Sequence, residues 1–328
     1  MAFSGTISAT TFDTRRVIDR AFGRCRIKPQ QITSDYIDVA MDQLYLLLST
    51  IGTPTLPLWC TEKQLYPLYD GVNEVTLDVG TIDVLSAYVR TSQGAESTET
   101  VAPDSRTLDF GTASAVATVG LKWSADAVPL VFERSDDGIG WRAIQTETPS
   151  AISGEWTWFD LSSVVASRYF RVRATSGTLA LSGMHTGGAP TEITVARLNR
   201  EQYTSLPNKN SPGPRPLQYW FDRQVRRPVM RIWPQPTAAS EHHTLVVWRH
   251  RHIMDVGTMA QEIEVPQRWV DAIVAGLAAR LAMEIAEVDP GLMQPLDAAA
   301  QQALYLAQSS EHDNSPINWA PNISAYTR

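Results

Sequence analysis

The stretch Pro129–Ile144, PLVFERSDDGIGWRAI, decides the fold. A run rich in apolar, β-branched and aromatic residues stops at Ser135-Asp136-Asp137-Gly138, a hairpin signal, and strand character resumes at Trp141. Short segments of the same kind surround it: AVATVGLKW (Ala115–Trp123), GEWTWFDL (Gly154–Leu161), SRYFRVRATSG (Ser167–Gly177) and TLALSGMH (Thr178–His185). Their spacing and turn signals predict a jelly-roll-like β-sandwich. The block opens with a polar Ser/Thr/Glu-rich stretch after Thr91 and closes with HTGGAP (His185–Pro190), so residues 91–190 read as an insertion in a loop of another domain.

Outward from the insert, strand signals continue on both sides. QLYPLYDGVNEVTLDVGTIDVLSAYVRT (Gln64–Thr91) carries turn signals at Asp70-Gly71 and Gly80, placing β segments over 64–90. Beyond the insert, Ile193, Val195 and Leu198 begin a second β region over 191–256. There QYWFDRQVRRPVMRIWPQP and HHTLVVWRHRHIMDV read as paired strands. Helical spacing marks the chain ends. Asp13 caps a helix over 13–23 with Val17, Ile18, Ala21 and Phe22 on one face, and Ser34 caps a second over 34–52 that ends at Gly52. Trp269, Ile273, Leu277 and Leu281 lie in register over 266–288, and a last helix spans 295–310 with Pro295 as its start or kink. The expected class is therefore α+β. A helical bundle from both chain ends joins a small antiparallel β domain (1–90 and 191–313), with the sandwich inserted and residues 314–328 as an extended C-terminal arm.

Twenty-eight Lys and Arg against thirty-five Asp and Glu leave a net charge of −7, which argues against a protein that coats nucleic acid. Cys25 and Cys60 are too few for a disulfide framework and read as small buried thiols in a reducing cytoplasm. No signal peptide opens the chain, and the most apolar helix carries Asp271, Arg280 and Glu284, so no membrane partner is expected.

Two resemblances sharpen this picture. VFERSDDGIGWRAI, followed by ASRYFRVRATSGTLALSGMH, resembles the discoidin (coagulation factor 5/8 type C) family of sandwiches, through Ser135–Gly138, Trp141 and the run Arg168-Tyr169-Phe170-Arg171-Val172. The chain outside the insert resembles the head-to-tail connector, or tail-adaptor, proteins of short-tailed bacteriophages. That match is carried by LPLWCTEKQLYPLYDGVNEVTLDVGTIDVL, the run from Ala196 through Pro236, VPQRWVDAIVAGLAARLAMEI and the closing PNISAYTR. The connector resemblance implies a structural virion protein, made in the host cytoplasm. It would form a homo-oligomeric ring of twelve subunits that joins the portal protein to a downstream tail or nozzle protein while DNA passes through. It also implies that the arm grips the portal through Pro316, Ile317, Trp319, Pro321, Ile323, Tyr326 and Arg328, each grip weak and the ring of them strong. The alternative is a carbohydrate-binding or adhesion module acting through the sandwich, and a third reading is a glycan-processing enzyme.

Candidate chemistry has competing readings at each position. His250 and His252 share a strand face, as metal ligands or as part of a solvated or interfacial strand, and the interleaved Arg249 and Arg251 favour the strand. The basic run that includes Arg223, Arg226, Arg227 and Arg231, with Trp233 and other aromatics, meets only Glu201, Asp222 and Glu241 over its own span. It reads as a subunit or tail interface ahead of a nucleic-acid contact. Trp156 and Trp158 fall on one side of a strand, so they fill the core or form an exposed glycan-stacking pair, with core preferred. Asp136-Asp137-Gly138 reads as a turn ahead of a calcium site. No Gly-x-Ser-x-Gly, Walker loop or His-Glu-x-x-His is present, and the expectation is a non-enzyme without cofactor or metal.

Overall fold

The computed structural model describes residues 12–51 and 58–311. It is an α+β architecture with several antiparallel sheets and a C-terminal helix. The helices are α1 (Thr14–Arg24), α2 (Ser34–Ile51), α3 (Arg200–Thr204), α4 (Gln267–Glu284) and α5 (Met293–Ser309). The strands before the sandwich are β1 (Thr61–Pro67), β2 (Glu74–Thr76) and β3 (Thr81–Thr91). Those of the sandwich are β4 (Thr98–Val101), β5 (Ser105–Ser114), β6 (Thr118–Trp123), β7 (Leu130–Ser135), β8 (Arg142–Glu147), β9 (Trp156–Asp160), β10 (Ser167–Ala174) and β11 (Leu181–Gly187). After it come β12 (Thr191–Thr194), β13 (Ala196–Leu198), β14 (Pro212–Gly213), β15 (Gln218–Asp222), β16 (Val229–Trp233), β17 (Gln235–Pro236) and β18 (Thr244–Arg251). The chain forms two compact units, one from residues up to Cys60 together with those from His252 onward, the other from Thr61–Arg251.

In the first unit the helices share one core. Asp13 accepts a hydrogen bond from the Arg16 amide at 2.8 Å and starts α1, which buries Val17, Ile18, Ala21 and Phe22. The residue at the capping position of α2 is Thr33 and not Ser34: its hydroxyl accepts from the Tyr36 amide and its carbonyl from Ile37. Alanines at 272, 275, 278, 279 and 282 keep α4 slim, so it is buried on several sides. A side chain added at Gly276 would stand 3.1 Å from Leu47, which shows how closely α2 approaches. Trp59 meets Trp269 edge-on at 5.1 Å, and the Trp269 indole N–H donates to Glu311. Cys25 is buried and donates to the Ala278 carbonyl, and burial pushes its thiol up to about 11.

The second unit holds two layered β bodies. One places the sheet β1-β18-β3-β12 against β13-β15-β16-β2, with Val84, Val89, Leu245 and Val247 meeting Tyr219, Phe221, Met230 and Ile232. The expected pairing of the two late segments is corrected. β15 and β16 pair with each other as a hairpin, while β18 runs between β1 and β3 in the other sheet. Between two neighbouring strands β18 is covered over most of its length, so His250 and Arg249 are buried, while Trp248 and His252 remain exposed.

β3 ends and β12 begins side by side, with Thr91 opposite Thr191, and the chain between them builds the second body. Five strands, β4-β5-β10-β7-β8, face three, β11-β6-β9, across a core of Trp123, Phe132, Phe159, Phe170 and aliphatic neighbours. Phe132 and Phe159 pack edge to face at 5.2 Å. At the β7–β8 hairpin, Asp137 accepts from the Ile139 and Gly140 amides and the Ser135 hydroxyl, and Gly138 takes φ 74°. Backbone donors hold the Asp137 carboxyl down at about 2, with the Gly140 amide first among them. Strands on both sides of the insert belong to one unit with the sandwich and the short α3, and α1, α2, α4 and α5 to the other.

Candidate functional site

β9 presents two different faces. Phe159 points into the sandwich core, whereas Trp156, Trp158 and Asp160 share the opposite face. That face is covered within the same unit, because β1 lies against β9. Asp160 accepts from both Lys63 and Arg90, and Arg90 also donates to Glu192. Nearby, Lys122 pairs with Glu241 at 2.7 Å, and the Trp156 amide donates to the Tyr69 hydroxyl at 3.0 Å. The Lys122 ammonium, the chief cause, holds the Glu241 carboxyl below its usual range.

Trp156 and Trp158 are both buried, at 4% and 7% exposed, against the neighbouring sheet and not among the side chains of the sandwich core. They stack on each other at 5.7 Å inside the seam, with His242 edge-on to Trp156 and His185 edge-on to Trp158. His185 and His242 stack at 4.6 Å. An exposed platform made of the two indoles is thus corrected: the faces a sugar would need are occupied.

Beside this seam opens a cleft of about 460 Å³. β1 supplies Lys63, Gln64 and Tyr66, β8 supplies Gln145 and Glu147, β9 supplies Trp158 and Asp160, and the loop before β3 supplies Asp78. Gln145 and Glu147 share a face of β8, two residues apart. The Gln145 amide donates to Glu147 and to the Asp160 carbonyl, and its oxygen accepts from the Ser162 amide at 2.8 Å. Gln64 donates to Asp78 at 2.6 Å and accepts from the Tyr66 hydroxyl. Burial first, and then the Asp78 charge, push the Tyr66 phenol up to about 12, so it remains a donor. Planar amides and carboxylates over an aromatic wall suit a ligand rich in hydroxyl groups.

None of these cleft residues was singled out from sequence except Trp158. They come from four separated segments, and no local pattern joins them. The basic run is also reinterpreted by geometry. Arg231 pairs with Glu74 and Asp222, Arg197 and Arg223 with Asp83, and Arg249 and Arg251 with Glu62. Three of those carboxylates lie outside the span over which the positive excess was counted. Arg226 and Arg227 are exposed in the β15–β16 hairpin loop, and Trp233 donates its indole N–H to the Asn208 carbonyl. Among the described residues no group of three His, Cys, Asp or Glu side chains could hold a metal ion. No helix among them is long and apolar enough to cross a membrane. Pro316, Ile317, Trp319, Pro321, Ile323, Tyr326 and Arg328 lie outside the described residues.

No family model and no curated protein matches the chain. Among solved structures it is similar to the module CBM32-1 from a family 31 glycoside hydrolase of Clostridium perfringens, at 11% identity over 39% of this chain and 93% of that one, with a TM-score of 0.23. It is similar also to CpGH89CBM32-5 of the same organism in complex with GalNAc-β-1,3-galactose, at 14% identity over 42% and 98%, with a TM-score of 0.21. A third is CpGH89CBM32-6, at 17% identity over 42% and 98%, with a TM-score of 0.23. These are discoidin-like β-sandwich modules, and at such scores they assign no ligand to this chain. The connector expectation is corrected here: these three matching structures are carbohydrate-binding modules, and the order of helix, strand and helix segments on which that expectation stood is no specific motif.

Proposed function

We propose that the chain is a carbohydrate-binding protein, and that its β unit holds a glycan in the cleft between β1 and β8–β9. The observation that carries this reading is the cleft itself. It sets Gln64, Gln145, Asp78 and Glu147 around a wall that includes Tyr66 and Trp158, in a volume of about 460 Å³. Vicinal sugar hydroxyls pair well with such planar amide and carboxylate groups, and the partly exposed Tyr66 ring offers aromatic carbon to the apolar face of a pyranose. Volumes of this order are those of small-ligand sites. In the same reading the sandwich is a discoidin-like jelly roll, and α1, α2, α4 and α5 form a bundle that serves as scaffold. The activity is binding without turnover: Asp160 is committed to Lys63 and Arg90, and Asp78 to Gln64.

Affinity electrophoresis of the full chain through gels containing soluble polysaccharides tests the reading. Retardation by at least one polysaccharide is expected. Gln145→Ala removes donors and an acceptor from the cleft wall and weakens retention about five- to tenfold. A protein that no polysaccharide retards, or a Gln145→Ala variant retarded as strongly as the parent, overturns it.

A further inference from the structure

Resting on the glycan reading of this cleft, we infer that its preferred ligand is an amino sugar carrying a free ammonium group. The argument begins with which carboxylates are already matched. Asp160 meets two cations, Lys63 and Arg90. Glu147 receives only the neutral Gln145 amide among the described hydrogen bonds and ion pairs. Asp78 has a side chain 60% exposed, and its nearest cation, Arg249 at 3.9 Å, sits closer to Glu62. Two carboxylates on the cleft wall thus lack a close cation of their own.

A second observation points to a ligand independently of charge. The Trp158 indole N–H is buried, and no group among the described residues accepts it. The six-membered part of this ring lies over Gly120, where a Cβ would come within 2.8 Å of it, so the N–H edge is turned away from β6. A buried donor without an acceptor is costly, and a sugar hydroxyl that displaced the side chains sealing the ring would satisfy it. An ammonium offers three donors and no acceptor, which fits a wall of acceptor-only carboxylates. An N-acetyl group offers one neutral donor in its place, and a uronate would bring like charge against Glu147 and Asp78.

The test is titration calorimetry on the full chain, at about pH 6 and low ionic strength, where carboxylates are ionised and sugar amines protonated. The ligands are a β-1,4-linked glucosamine tetramer, its fully N-acetylated counterpart and a galacturonate tetramer. The glucosamine tetramer is expected to bind about tenfold tighter than the acetylated one, and the galacturonate not at all. The preference shrinks in about 0.5 M salt, which screens exposed charge. Glu147→Gln weakens glucosamine binding about fivefold at an unchanged melting midpoint, and Asp78→Asn does the same if the first variant fails to fold. Equal or tighter binding of the acetylated tetramer overturns the inference while the glycan reading stands. Glucosamine binding indifferent to both substitutions also overturns it. If no tetramer binds but a polysaccharide still retards the protein, the amino-sugar preference alone falls. If nothing binds in either assay, the glycan reading falls and takes the preference with it.

Discussion

Asp160 holds the sandwich to the sheet beside it with one carboxylate shared between Lys63 and Arg90. The Arg90 side chain is only 8% exposed, and its other carboxylate, Glu192, is more open to water. Removing Asp160 therefore leaves a nearly buried guanidinium with half its partners. Asp160→Ala is expected to lower unfolding free energy by about 1–3 kcal/mol, the range for stranding a buried charged donor that keeps one partner. Urea unfolding followed by the fluorescence of the adjacent tryptophans measures it, and a change near zero would mean that the ion pairs do not hold the seam. Two other carboxylates give a pH signature. The Arg168 guanidinium holds Asp109, and backbone amides hold Asp137, down to about 2 from an ordinary 3.8. Depressed acids stabilise the fold fully above the ordinary value, and that contribution disappears as pH falls through about 2. The melting midpoint should drop between about pH 4 and pH 2, and drop less in Asp109→Asn.

At the level of elements, β9 shows what periodicity reveals and what it hides. Alternation in Trp156–Asp160 says that alternate side chains point to opposite faces, and that much is local information. It does not say that the outward face is covered by a strand nearly a hundred residues earlier, so Trp156 and Trp158 could be read as core or as exposed but not as a second interior. Helices α1, α2, α4 and α5 lie close to where apolar spacing placed them, because that spacing belongs to neighbouring turns of one element. Gly120 reports the pressure on the seam: Gly120→Val should force the Trp158 ring aside and cost about 1–3 kcal/mol, read as a lowered melting midpoint. The seam is also pH-sensitive. Burial, and then the neighbouring His242, keep His185 below its ordinary 6.5, with Glu241 and Lys122 close to the same stack. A histidine held neutral stabilises the fold above its ordinary value, and stability declines as pH falls below 6.5. The midpoint should fall between about pH 7 and pH 5, and His185→Gln should reduce that fall.

For the whole molecule, strand spacing and turn signals marked the sandwich, while the grouping of the segments around it depends on contacts between distant residues. In sequence, the strands flanking the insert fall with the helices because both share the chain outside it. In the folded protein they join the sandwich through the β3–β12 pair and the Asp160 ion pairs, neither of which leaves a trace in a sequence window. The positive excess between Arg197 and Arg251 is partly offset in the same way, since Glu62, Glu74 and Asp83 pair with Arg249, Arg231 and Arg197 from far upstream while Arg226 and Arg227 stay exposed. A partition of this kind makes a strong prediction. Residues 61–251 are contiguous and contain both β cores complete, and the segment's ends are neighbours, with Thr61 opposite His250 in one sheet. Excision there cuts no strand pair of that sheet. The fragment should therefore fold alone, with a cooperative thermal transition, sharp near-ultraviolet circular dichroism from its buried tryptophans, and the glycan retention of the full chain. Phe170→Ala, which empties the sandwich core, should destabilise it by about 3–5 kcal/mol. A fragment with secondary structure but no near-ultraviolet signal would show instead that these cores need the helices in order to pack, and that residues 61–251 are not an independent folding unit.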